Sequence, residues 1–250
     1  MKIPSYVWIV LLILVSFGGL YFISNQRNKQ EFENVQLPVE VEVYVDFNCP
    51  HCADFEPYVQ QARQKYGEKA NIELKMLPFL TAGQNPDTSV EYANAAIAAR
   101  KQGKFNEYTD GLFKWITYRK TPTHPLFTFS DAEKELFAEA IDLDALAEFL
   151  ELDVEQFKKD RVSEEVRAEV KAEKDKAIAK MGAASTPTIF IYGKQFKMQT
   201  FDDFDKQIAS LIEQAEANQQ EETVTETDTN SGTETVLTDS PGAENAGAAE

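Results

Sequence analysis

Cysteine is nearly absent from this chain. The 250 residues hold two, Cys49 and Cys52, which excludes a frame of structural disulfides, because such a frame needs several cysteines spread along a short chain. The core must stand on packing, and 43% hydrophobic residues are enough for one domain of ordinary size. Histidine is as scarce, with only His51 and His124. A tetrahedral zinc site takes four nitrogen or sulfur ligands. His51 is held between the cysteines and His124 sits in a proline-rich loop, so closing such a site would need a second chain. Basic residues are in deficit too, 25 Lys and Arg against 42 Asp and Glu, for a net charge of −17. That balance offers no basic face to neutralise phosphates and argues against nucleic acid as a partner.

The charge is unevenly spread. Glu221 to Glu250 contain eight acids and no Lys or Arg, leaving −9 for everything before them. With few large apolar side chains, this tail cannot bury enough surface to offset its ordering entropy, and residues 218–250 read as a disordered acidic tail. The other end is opposite in character. Tyr6 to Ile23 carry no charge; at about 1.5 Å per residue they reach roughly 27 Å, the thickness of a bilayer core. Tyr6, Trp8 and Tyr21 stand where interfacial aromatics sit. Residues 1–24 are therefore expected to form one N-terminal transmembrane helix, with 25–37 as a polar linker. A cleaved secretory signal is the competing reading, since Lys2 precedes the run; against it, bulky Leu20 to Ile23 stand where a small-x-small cleavage site belongs.

Between the ends, Val39 to Phe47 alternate, with Val39, Val41, Val43, Val45 and Phe47 on one face and Glu40, Glu42, Tyr44 and Asp46 on the other, the pattern of a strand. A helix follows directly: Pro50 suits a first turn, Phe55, Tyr58, Val59 and Ala62 recur at helical spacing, Pro57 kinks it and Gly67 ends it. Ile72 to Leu77 form a second strand. From about 88 to 180 the chain is rich in Ala, Glu, Lys and Leu, which predicts roughly four or five helices. Ser130 with Glu133 makes a capping box, and Asp153 to Gln156 resembles one. Phe105, Tyr108, Leu112, Phe113 and Ile116 form an apolar helix face, read as core packing rather than a substrate surface. Thr188 to Tyr192 and Gln195 to Met198 then flank Gly193-Lys194 as a hairpin, and a last helix starts at Thr200.

The two cysteines enclose Pro50 and His51. A strand followed by Cys-x-x-Cys at a helix start puts the first sulfur among unpaired backbone N–H groups and at the positive end of the helix dipole, where an anion is favoured. Cys49 is thus expected to be an acidic, exposed thiol, further acidified by a hydrogen bond or charge from His51. Cys52, one turn in, is expected to be more buried and to close the ring. Because the thiolate exists only in the reduced form, stabilising it makes the disulfide easier to hand to other proteins.

With Cys49-Pro50-His51-Cys52 after a strand, Pro57 at the helix kink, a helical insertion, and Thr186-Pro187-Thr188 before the hairpin, the span from Val39 to about Ala217 resembles the DsbA family of thiol-disulfide oxidoreductases. The resemblance implies an α/β thioredoxin fold over 38–217 with a helical insertion at about 88–180. It also implies catalysis by Cys49 and Cys52 with Pro50 and His51, and substrate binding by Thr186 and a cis Pro187. No cofactor or metal is implied. Reduced client proteins and a quinone-linked membrane reoxidant are the implied partners, with the catalytic domain of a monomer anchored on the extracytoplasmic side of a bacterial membrane. One departure is that the strand position six before Cys49, often a buried acid in such enzymes, is Val43; Asp46 is the nearer candidate for proton transfer, or else a strand end or a cap for the helix. An isomerase or reductase on the same fold is a rival, since Thr186 also precedes the cis-proline in those enzymes, and from a different class so is a copper-binding metallochaperone, since soft thiolates suit Cu(I).

Overall fold

The structure, a computed structural model, describes residues 32–80, 88–125 and 127–229. Alternation along β1 (Val39–Val45) sends four valines to one face, all at most 1% exposed. The strand continues through a tight turn into α1 (Pro50–Tyr66), which ends at Gly67 with φ +53°, a left-handed value that glycine adopts without strain. β2 (Ala70–Met76) returns parallel to β1, pairing Val39 with Ala70 through Val45 with Met76. The helical part follows as α2 (Thr88–Arg100), α3 (Phe105–Lys120), α4 (Asp131–Ala138), α5 (Leu143–Phe149), α6 (Val154–Arg161) and α7 (Glu164–Met181). Then β3 (Thr188–Ile191), β4 (Lys194–Phe196) and α8 (Phe201–Thr229) close the chain. The sheet order is β2-β1-β3-β4, with β3 and β4 antiparallel to their neighbours.

The sheet is covered on both faces. On the valine face, Phe55 of α1 packs 5.3 Å from Phe201 and 5.0 Å from Phe204 of α8, centroid to centroid. On the other face, Tyr44, Leu77 and Phe190 pack against Ala177 of α7, while Glu42 pairs with Lys180. Tyr44 is therefore buried, at 5% exposure, although the alternation put it opposite the valines; Asp46, past the strand's end, is 2% exposed under other partners.

The insertion holds six helices among the described residues, more than composition suggests. Its short helices are separated by side-chain caps: Ser130 with Glu133 as a full capping box, and Asp142, Asp153 and Ser163 accepting from backbone N–H groups one turn on. Helices of seven or eight residues do not persist alone; here Trp115 stacks on Phe137 at 5.4 Å and Tyr108 lies 5.3 Å from Phe157. Tyr108, Leu112 and Phe113 are fully buried, so that helix face is core.

Three boundaries differ from expectation. The final helix runs to Thr229 rather than ending at Ala217, because the Gln, Glu and Ala residues after 212 are good helix formers. Part of the expected linker is packed: Val35 is 8% exposed and its carbonyl accepts from Asn218. The hairpin turn is Tyr192-Gly193, both at positive φ, one residue earlier than Gly193-Lys194. Among the described residues no helix is long and apolar enough to cross a membrane; the run from Tyr6 to Ile23 lies outside them.

Candidate active site

The site lies at the carboxyl end of β1. Asp46 turns the chain: its carbonyl accepts from Cys49 N at 3.0 Å and its Oδ1 from Asn48 N at 2.8 Å. Cys49 is the N-cap of α1, in extended conformation, and Pro50 opens the helix with the fixed φ that suits a first turn. The Cys49 carbonyl accepts from Cys52 N and Ala53 N at 3.1 and 3.2 Å. Its thiol donates to the Thr186 carbonyl at 3.4 Å, so the entrance of β3 sits directly against the redox pair. The Thr186–Pro187 peptide is cis, as is Leu37–Pro38.

The two sulfurs have opposite environments. Cys49 is held at a pKa of about 5, chiefly by the hydrogen bond from the Cys52 thiol; burial opposes this, and the Thr186 hydroxyl and the backbone N–H groups of Cys52 and His51 add to it. Burial pushes Cys52 well above the usual thiol range, reinforced by its hydrogen bond to Cys49 and by that neighbour's charge. The arrangement separates a thiolate from a thiol, the division that one nucleophile and one resolving sulfur require. Thr186 Oγ1 is buried without a hydrogen-bond partner, so its O–H is free to turn to the ionised sulfur.

One expectation needs correction. Cys49 is not at an exposed end: it is 5% exposed against 1% for Cys52, because the segment before β3 closes over it. His51 acidifies Cys49 through its backbone N–H, while its ring stands exposed along a groove of about 450 Å³. Pro187, Phe196, Met198 and Phe201 line that groove with it, giving it an apolar floor.

Asp46 is 2% exposed and saturated with donors: Asn48 N and Ser89 Oγ at 2.8 and 2.6 Å on Oδ1, and Phe79 N and Leu80 N at 2.8 Å each on Oδ2. Four donors fill the lone-pair sites of a carboxylate, so its visible work is to clasp the loop after β2 and the start of α2 to the end of β1. A buried acid that the sequence reading passed over is Glu56, 1% exposed on the inner face of α1, one turn beyond Cys52. Its signal was present, an acid at i+4 from a buried cysteine and between Phe55 and Val59. His124 lies 3.7 Å from Asp54 on the outer face of α1. Among the described residues no three of His, Cys, Asp and Glu gather as metal ligands.

Known proteins resemble this chain in sequence and in fold. A family model described as thioredoxin matches residues 34–210. Two relatives named "Probable disulfide bond formation protein D" are similar: that of Bacillus anthracis is 28% identical over 182 residues, 72% of this chain and 76% of its own length. That of Bacillus cereus is 27% identical over 212 residues, 80% and 91% of the two chains. The fold matches the oxidoreductase DsbA from Xylella fastidiosa with a TM-score of 0.53 at 18% identity, covering 76% of this chain and 93% of that one. It matches BdbD from Bacillus subtilis with a TM-score of 0.50 at 20% identity, covering 73% and 90%. The chain belongs to the thioredoxin family, as a thiol-disulfide oxidoreductase of DsbA-like fold with Cys49 and Cys52 as its redox pair.

Proposed function

We propose that the protein donates its Cys49–Cys52 disulfide to reduced client proteins outside the cytoplasm. The observation that carries this direction is the Cys49 thiolate, held at a pKa of about 5 beside a Cys52 thiol. Stabilising the reduced pair makes the oxidised pair a strong acceptor of electrons. The names of the two Bacillus relatives point the same way.

In the forward reaction a client thiolate attacks Cys49 Sγ, and the Cys49–Cys52 bond breaks with its electron pair on Cys52. A second client thiolate attacks the first client sulfur, releasing Cys49 as thiolate. The client loses two electrons and the enzyme gains them. The client lies along the groove beside His51, with extended backbone against Thr186 and Pro187. Disulfide donation belongs outside the reducing cytosol, so Tyr6 to Ile23 would anchor the domain on the extracytoplasmic side, near a quinone-linked membrane reoxidant, where tethering raises effective concentration.

Equilibration with glutathione buffers, followed by quenching and alkylation, tests the direction. A strong donor is expected to show a potential of about −180 mV or more oxidising, whereas a value near about −270 mV would make the protein a reductant.

A further inference from the structure

We propose that the pocket framed by α2, α5 and α6 takes a lysine or arginine side chain of the client, so that clients with a basic residue a few positions from a cysteine are preferred. The proposal rests on the disulfide donation assigned above to Cys49 and Cys52, and it adds the chemistry of the client around its thiol.

The pocket has a volume of about 560 Å³, ample for one long side chain. Glu91 and Tyr92 of α2 form one wall, Ile141, Asp142 and Leu143 at the start of α5 a second, and Arg161 at the end of α6 a third. The start of α2 ties this pocket to the redox pair. Ser89 Oγ, two residues before Glu91, accepts from Asn48 Nδ2 at 2.7 Å, and Asn48 directly precedes Cys49. The Tyr92 ring lies edge to face with that of Phe47, 6.1 Å between centroids, and Phe47 is two residues before Cys49. Consecutive Cα atoms are about 3.8 Å apart, so the pocket stands on the order of 15 Å from Cys49, the reach of roughly four or five residues of extended chain.

Its charge selects the occupant. Among the described residues Arg161 is the one basic side chain lining it, and its guanidinium is already shared: Nη1 donates to Glu91 Oε1 at 3.3 Å and Nη2 to Asp144 Oδ1 at 3.1 Å. Asp142 uses Oδ1 to cap α5, accepting from Asp144 N and Ala145 N at 2.9 and 3.1 Å. Glu91, Asp142 and Asp144 thus meet a single cation, and two negative charges stay unbalanced. The surroundings deepen the field, since residues 139–155 hold seven acids and no Lys or Arg. A cleft lined by one sign of charge concentrates ligands of the other. Ile141 and Leu143 give the methylene stem of a lysine or arginine an apolar wall while its charged head meets the carboxylates.

The rim suits a protein rather than a free amine. Among the described residues three large apolar side chains are exposed, Val90, Phe149 and Val162. Val90 adjoins Glu91, Val162 adjoins Arg161 and Phe149 ends α5, so all three belong to the elements that frame the pocket. Exposed apolar side chains grouped about a polar cleft mark a surface that meets other proteins.

Model clients test the proposal. Each peptide carries the same cysteine pair, which closes to a cyclic disulfide as the oxidised protein is reduced, and a tail with lysine, norleucine or glutamate at one position three to seven residues from the pair. Acid quenching and mass spectrometry read the rate of closure. Lysine at its best position is expected to react about tenfold faster than norleucine at low salt, with glutamate slower still. The gap should close at about 1 M salt, where screening acts within ~3 Å. Combining Glu91→Gln with Asp142→Asn should bring the lysine peptide down to the norleucine rate. Combining Glu68→Gln with Glu213→Gln, two exposed acids elsewhere, should keep the preference. Equal rates for lysine and norleucine at every position would overturn the proposal. So would a preference that survives the first pair of substitutions, or one lost equally with the second, which would assign it to overall charge. Should the first pair not fold, Asp142→Asn alone, which keeps a capping oxygen, must shrink the preference, and an undiminished one would be decisive against the pocket. If the wild-type protein closes none of the peptides, the donor reading itself fails and this proposal falls with it.

Discussion

The Cys49 thiol lies 3.4 Å from the Thr186 carbonyl, although 137 residues separate them in the chain. One residue caps α1 and the other leads into β3, so the redox pair sits where the amino end of a helix meets the entrance of an antiparallel strand. Cys52 below, Thr186 above and two backbone N–H groups together decide the protonation of Cys49.

The acidity of Cys49 is therefore expected to depend on Cys52 first and Thr186 second. Thiolate absorbance of the reduced protein should titrate near pH 5. Cys52→Ala should move the titration up toward the ordinary thiol value, and Cys52→Ser, which keeps a donor, should move it less. Thr186→Val, which removes only the hydroxyl, should raise it by a smaller amount than Cys52→Ala. A Cys49 titration indifferent to Cys52 would refute this ordering.

The reduction potential should change slope with pH near 5, where Cys49 titrates. Above that point reduction takes up one proton, on Cys52, and below it two. With about 30 mV for a tenfold change in a two-electron couple, the slope is expected to be roughly 30 mV per pH unit above and roughly 59 mV below. Potentials measured between pH 4 and 8 would show the break or its absence.

Stability should follow the same linkage. The folded pKa of Cys49, about 5, lies below that of an unfolded thiol, so the stabilisation of the reduced protein is full above the unfolded value and is lost as pH falls through 5. Paired thermal melts should find the reduced form gaining on the oxidised form as pH rises from 5 to about 9. A constant gap over that window would contradict the linkage.

Asp46 should matter to folding. Asp46→Ala strands the backbone N–H groups of Asn48, Phe79 and Leu80 at once, and a loss of about 3 kcal/mol is expected in urea unfolding. Asp46→Asn keeps one oxygen as acceptor and should lose less. A change within roughly 0.5 kcal/mol for the alanine variant, the range of ordinary surface substitutions, would mean the clasp contributes little.

Much of this protein was legible as local pattern. The valine alternation of β1, the Pro50 helix start, the Gly67 stop, the Ser130 capping box and the hairpin strands depend on neighbours within a few residues, and each is where the pattern placed it to within one or two positions. The number of helices in the insertion was less legible, since a continuous helical composition hides breaks that rest on single cap residues such as Asp142 and Ser163.

By itself, the sequence determined that all cysteine chemistry falls in one window, that the window opens a helix after a strand, and that the core cannot lean on a frame of disulfides. Those conclusions follow from residue identity and spacing alone. Only the tertiary structure decided that Cys49 is covered, that Asp46 is saturated by donors from the loop after β2 and from α2, and that Glu56 lies buried between α1 and α3. Burial and the filling of lone pairs depend on what packs against a side chain, and in each case the partner comes from a distant part of the chain.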